Sequence, residues 1–498
     1  MRLFLALFFA YNLFASTLHL ATSSNPSRLN PLLATDSSSS EIAGFIFNGL
    51  LKYDKENKNI IGDLAKKYYF EDSKTLIFKL QKGVKWHDGE EFSAKDVLFT
   101  YETLISNKIA TPYSSGFRFV ESVELLDKYT VKVNYKKPYF KALEIWMMGI
   151  IPEHILNDEI NFMSSKFNTN PIGTGPYKLS KLEFSKDIEL VAFDDYFEGR
   201  AKIDKIAFHV IPDATTSFLM LKSSKLDIGN LEAIAYEKKI KQDFLEHFNL
   251  YEQIAPVYAY LGFNLRRKKF QNPDVRRALS LAINRQELVD MLFFKHAKVC
   301  TGPFLPGSAA FNPDIKAPEQ NIEEAKQLLK RAGYDKNHPL TFEIATSNSD
   351  PIRPYAAEIL QHQLQQVGVV VTLRVMEWQA FLNTTVHPRK FDTILLAWSL
   401  SPTPDPYYLW HSESDKKNGF NLVGYKNQEL DVLIKKSESI SDRKELVKYW
   451  QKMFKIITDD NPYLFLYIPN SITAVNKDIK NVQPALSGIW HNYIEWEK

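Results

Sequence analysis

Six side chains in the last third of the chain have the types and spacing from which a recognition site is built. They are Arg353 and Tyr355 in SNSDPIRPY, Trp378 in MEW, and Trp398, Ser401 and Asp405 in AWSLSPTPDPYY. A guanidinium offers a planar fork of donors that matches a carboxylate. Indoles form rigid apolar walls with one N–H each. With a carboxylate added, the set carries fixed charges of both signs and suits a zwitterion. Each residue also has a plainer reading: Arg353 as a solvated loop charge, the tryptophans as packing residues, and Asp405 as the group that fixes a turn between Pro404 and Pro406.

Covalent chemistry finds little footing. The sequence has no G-x-S-x-G elbow, no H-E-x-x-H pair and no paired Cys/His spacing, and its 11 histidines are scattered. His491 in WHNYIEWEK has no partner nearby in sequence for a metal. His87 among Asp88, Glu90 and Glu91 reads as a polar turn between strand and helix, not an acid/base pair. NPIGTGPYKL has the glycines of a phosphate loop without the Gly-Lys-Ser/Thr that should follow, and reads as a tight lead-in to a strand. No catalytic residue, metal or cofactor is expected, and a secreted hydrolase is a remote alternative.

The elements that must position the six residues are legible. TFEIAT, VVTLRV and FDTILLAW read as strands, separated by the helices of PIRPYAAEILQHQLQQVG and EWQAFLNTTV. That alternation is the pattern of parallel strands with covering helices, in which ligands sit beyond the carboxyl ends of the strands. The three loops there carry the six residues, with Arg353 and Tyr355 on the loop before a helix. TVKVNY, KIDKIAFHVI and YAYLGFNL add strands of a mixed sheet. In SAKDVLFTYETLI, Ser93 is placed to cap a helix with Asp96 in its first turn, and Val97, Leu98, Tyr101, Leu104 and Ile105 form its apolar stripe. Gly333 stands where NIEEAKQLLKRAG should end its helix.

With 498 residues, 45% of them hydrophobic, the chain exceeds a single core and calls for at least two core-bearing lobes. MRLFLALFFAYNLFAS reads as a secretory signal over residues 1–16, with no lipobox cysteine. The single cysteine, Cys300, leaves an exported chain without a disulfide and reads as a buried thiol. The net charge of +3, less Arg2, leaves about +2 and gives no reason to expect nucleic acid. No later run approaches the length of a membrane span.

Several stretches in order resemble the extracytoplasmic solute-binding proteins of ABC importers, family 5, the class of dipeptide- and oligopeptide-binding proteins. They are RLNPLLATDSSSSEIAGFIFNGL, GVKWHDGEEFSAKDVLFTYE, NPIGTGPYKL, VAFDDYFEGR, YLGFNL with NPDVRRALSLAIN, and NIEEAKQLLKRAGY. The resemblance implies an α/β, two-lobed, periplasmic-binding-protein-like clamp with mixed sheets. Residues 17–257 and 472–498 would form the first lobe, with an extra subdomain over about 62–165, and 258–471 the second. The hinge would fall near YAYLGF and YIPNSI. The resemblance also implies a periplasmic monomer that captures a peptide and delivers it to an inner-membrane ABC permease with separate ATPase subunits. A receptor for a nickel chelate or other small solute on the same fold is the alternative. Dipeptide binders of the class hold the ligand carboxylate with the arginine of an R-P-Y stretch, matched by Arg353-Pro354-Tyr355. They hold the ligand amine with an aspartate three residues after the loop tryptophan, where this chain has Ser401. A hydroxyl cannot pair a buried ammonium. Either Asp405 reaches the amine along a different loop path, or the ligand lacks a fixed terminal amine.

Overall fold

The computed structural model describes residues 16–498 apart from 107, 110, 185, 417, 418, 441 and 487. The expected signal segment, 1–16, lies outside the described residues but for Ser16.

The first lobe is built on a four-stranded mixed sheet. Thr17–Thr22 pairs in parallel with Lys205–Val210, which continues antiparallel through Asp187–Ala192 to Tyr177–Leu182. Leu18 and Leu20 are buried while Thr17, His19 and Ala21 are half-exposed, the two-residue period of a strand with one wet face. A second, antiparallel four-stranded sheet (Ala65–Phe70, Thr75–Leu80, Thr130–Tyr135, Val120–Asp127) is covered by the helix Ala94–Ile105. Ser93 accepts from the Lys95 amide and Asp96 accepts from the Ser93 amide at 2.8 Å, so the cap closes reciprocally. Val97, Tyr101 and Leu104 are buried, but Ile105 is exposed because the helix ends there and leaves the sheet.

In the second lobe Thr341–Ser347 runs parallel to both Val370–Met376 and Thr393–Ser399. Thr393–Ser399 then pairs antiparallel with Val257–Phe263, which pairs with the 14-residue strand Tyr463–Asn476. The helix Ile352–Gln365 buries Ala356, Ala357, Leu360 and Leu364 on this sheet. The helix Ile322–Arg331 ends as read, with Gly333 at φ +90°.

Tyr463–Asn476 runs through two sheets. Residues 463–467 pair with Val257–Phe263, whereas residues 470–476 pair with Phe248–Ile254. Prolines mark the change on both sides of the pairing, Pro256 between the two partner strands and Pro469 inside the long strand. A proline withholds a ladder donor and weakens pairing where it sits.

Candidate functional site

The segment after Thr393–Ser399 is anchored before it reaches open space. The Leu400 amide donates to the Pro256 carbonyl at 2.7 Å. Ser401 and Thr403 then line a cavity of about 600 Å³, and Pro402 lines a second of about 610 Å³. Asp405 caps the short helix Pro406–Trp410, with Pro406 at the first helical position. Trp410 is buried against Tyr463 at 4.7 Å and fixes that helix to the sheet.

The opposite wall comes from the first lobe. The helix Ser37–Ile46, capped by Asp36, contributes Ser40, Ala43 and Gly44. The single turn Glu144–Met147 contributes Glu144, held in place because Trp146 is buried, donates to the Tyr135 hydroxyl at 2.9 Å, and accepts from the Leu50 amide through its carbonyl at 2.8 Å. Lys141 completes the charged lining.

Among the described residues, six side-chain polar contacts join the walls. Tyr53 and Thr403 hydroxyls lie 3.0 Å apart. Glu144 Oε1 accepts from Thr403 Oγ1 at 2.7 Å and from Arg443 Nη1 at 3.0 Å. Lys141 Nζ meets Asp405 Oδ2 at 3.3 Å, Lys137 meets Glu438 at 3.0 Å, and Arg118 Nη1 meets the Tyr408 hydroxyl at 3.1 Å. Burial, together with the Glu144 charge, pushes the Tyr53 hydroxyl above its usual range.

Of the six residues read from sequence, Ser401 lines the first cavity and Asp405 stands behind Lys141. Both Asp405 oxygens are engaged, Oδ1 by the Tyr407 amide at 3.2 Å and Oδ2 by Lys141. Trp398 is half-buried, stacked on Tyr260 at 6.2 Å with an interplanar angle of 6°, and its Nε1 reaches the Tyr463 hydroxyl at 3.5 Å. Trp378 is half-buried, tilted against Phe381 at 6.2 Å.

Arg353 lies in the first turn of Ile352–Gln365, so the helix begins sooner than the expected loop allowed. Its Nε donates to Asp350 at 3.1 Å, and its side chain is 15% exposed. Its Nη1 is buried with no hydrogen-bond partner among the described residues, as is the Tyr467 hydroxyl, whose titration feels the charges of Asp350 and Arg353. Burial, the larger cause, pushes that phenol well above its usual range. A buried guanidinium N–H without an acceptor costs about 1–3 kcal/mol or more, so one donor of this side chain is left unmet among the described residues. Tyr355, two residues on, is 61% exposed and points to solvent. Neither Arg353, Tyr355 nor Trp378 lines the two cavities.

Tyr53, Lys141, Glu144 and Arg443 were not found from sequence. The available signal was four charges, Lys136, Lys137, Lys141 and Glu144, set into the otherwise apolar stretch KKPYFKALEIWMM.

His87 Nε2 meets the Gly175 carbonyl at 3.0 Å and Nδ1 accepts from the Gly173 amide at 3.2 Å, which tie the GVKWHDGEEF turn to NPIGTGPYKL. Gly173 is needed for this approach, since a Cβ there would lie 1.9 Å from the Ile46 carbonyl oxygen. His491 meets the Gln483 carbonyl at 2.7 Å. Cys300 is buried, with burial pushing its thiol up to about 12. Among the described residues no group of three His, Cys, Asp or Glu is placed to hold a metal, and no helix is long and apolar enough to cross a membrane.

A model of bacterial extracellular solute-binding proteins, family 5 Middle, matches residues 59–420. The chain is 33% identical over 490 residues to the oligopeptide-binding protein AppA of Bacillus subtilis, covering 95% of this chain and 89% of that protein. The structure of that AppA in complex with a nonapeptide superposes with a TM-score of 0.78, at 32% identity and with 96% and 98% of the chains covered. The substrate-binding protein CtaP of Listeria monocytogenes gives a TM-score of 0.88 at 26% identity, covering 97% and 99%. NikZ of Campylobacter jejuni in complex with Ni(L-His) gives 0.80 at 27% identity, also covering 97% and 99%. Two sheet-based lobes facing each other across a charged cleft, a family model over most of the chain and a relative one-third identical along nearly all of it lead to one conclusion: the chain belongs to family 5 of the bacterial extracellular solute-binding proteins.

Proposed function

We propose that this protein is the extracytoplasmic receptor of an ABC importer, capturing a peptide between its lobes and presenting it to an inner-membrane permease without altering it. The observation that carries this reading is the cavity of about 600 Å³ between the lobes, lined by a cation and a carboxylate from one lobe and hydroxyls from the other. The buried, half-satisfied Arg353 supports it, as the residue that matches the carboxylate clamp of dipeptide binders. Relatives named for oligopeptides support the ligand class.

In this reading residues 17–257 and 472–498 move as one lobe, 258–471 as the other, and the subdomain within about 62–165 closes one side of the cleft. The crossings at Pro256 and Pro469 act as the hinge, and the polar contacts from Arg118, Lys137, Lys141 and Glu144 hold the closed state. Export rests on the apolar amino terminus, and the receptor acts as a monomer in the periplasm.

A second reading, a receptor for a nickel chelate, is favoured by the likeness to NikZ. A chelate brings its own metal ligands, so a protein cluster is not required. A thermal-shift screen of peptides, free amino acids and nickel–histidine separates the two. A ligand that binds only the folded form adds about 2.7 kcal/mol at 100 times its dissociation constant. Peptides raising the midpoint support the first reading; nickel–histidine alone raising it replaces that reading with the second.

A further inference from the structure

Ser401 faces the cavity at the position where the resemblance leads one to expect an acidic residue, and it is neutral. A carboxylate nevertheless reaches the same wall from the other lobe. Glu144 Oε1 is fixed by Thr403, two residues beyond Ser401, and by Arg443, at 2.7 and 3.0 Å. Its Oε2 accepts no hydrogen bond among the described residues, and the side chain, 12% exposed, lines the cavity. One oxygen is thus held and the other offered.

The balance of charge allows a cation there. Lys141 is occupied by Asp405, and Arg443 is 31% exposed, so water screens it better than it screens Glu144. The Glu144 charge is felt at neighbouring phenols, Tyr53 and Tyr68 among them, whose titration burial and this carboxylate both push upward.

We propose that Glu144 binds the amino group of the ligand, taking over from the first lobe the role that Ser401 cannot fill from the second. This rests on the peptide reading. A carboxylate already oriented by two donors needs no reorganisation to receive an ammonium, and charge-assisted bonds of that kind are the stronger class. Asp405, with both oxygens engaged, is left to structure.

The test is capture from a mixed pool of short peptides, half with free and half with acetylated amino termini, read by native mass spectrometry. The wild type should enrich free over acetylated peptides by about ten-fold or more. Glu144→Gln should bring the ratio to about one while still capturing acetylated peptides, and Thr403→Val, which removes one support of Oε1, should keep a clear preference. A wild-type ratio near one, or a preference surviving in Glu144→Gln, overturns the proposal and leaves the peptide reading standing. Capture of no peptide removes both. If Glu144→Gln does not fold, Glu144→Asp decides: drawing the carboxylate back by one methylene should lower the preference, and an unchanged ratio overturns the assignment.

Discussion

Glu144 and Arg443 are 299 residues apart in the chain and 3.0 Å apart in space, on opposite walls of the cleft. Their contact is one of three charged pairs, with Lys141 meeting Asp405 and Lys137 meeting Glu438. Lys137 and Lys141 meet carboxylates while Glu144 meets a guanidinium, so the two lobes fit each other electrostatically in one register.

Those pairs should act as a latch. Glu438 is 7% and Lys137 36% exposed, so Glu438→Gln removes a partly screened pair worth about 1 kcal/mol. Peptide dissociation measured by stopped flow should speed up about five-fold. The difference between variant and wild type should shrink near 1 M salt, where the screening length is about 3 Å.

Arg353 carries the second prediction. If a ligand carboxylate pairs with it, Arg353→Ala should cost about 2–5 kcal/mol of affinity, roughly 30-fold to several-thousand-fold, by calorimetry. Lysine should rescue in part, lacking the fork. The unliganded stability of Arg353→Ala should change little, because the variant also removes a buried N–H that has no acceptor.

Asp405 separates position from role. Asparagine is as good a cap as aspartate, so Asp405→Asn should lose only the Lys141 pair, within about 1 kcal/mol, whereas Asp405→Ala should lose the cap as well, for about 1–2 kcal/mol in denaturant titration. Free and acetylated peptides should lose affinity equally in Asp405→Asn; a selective loss for free peptides would return the amine to this residue.

Most of the framework was legible because it is local. TVKVNY forms a strand with the bounds read from it, and Ser93 caps the helix it precedes, since a two-residue period and a cap need no distant partner. TFEIAT, VVTLRV and FDTILLAW are strands, and they are parallel. EWQAFLNTTV fared less well: only Trp378–Phe381 is α-helical, and the next turn widens where Thr384 Oγ1 donates back to the Ala380 carbonyl at 2.7 Å. The strand order placed Ser401 and Asp405 near the cleft. It could not place Glu144 or Arg443, whose meeting depends on how two lobes face each other and leaves no periodic trace in either segment.

His87 provides a pH test of the fold. Burial, offset in part by its bond to Gly175, lowers its titration from 6.5 to about 4. It accepts at Nδ1 and meets a carbonyl at Nε2, as the neutral ring does. The unfolded chain therefore takes up the proton first, so stability present above pH 6.5 falls as the pH drops towards 4. At about 1.4 kcal/mol per pH unit, this one group accounts for a loss of about 3 kcal/mol. His87→Gln should be less stable at pH 7 but lose less between pH 7 and 4.5, by chemical denaturation at both values.

The central claim is that the cleft holds a peptide, and native mass spectrometry of the protein purified from its own periplasm tests it most directly. The account predicts adducts whose masses and fragmentation are those of peptides, released on denaturation and reduced in Arg353→Ala. Adducts carrying the isotope pattern of nickel, with no peptide bound before or after incubation with a peptide pool, would contradict it.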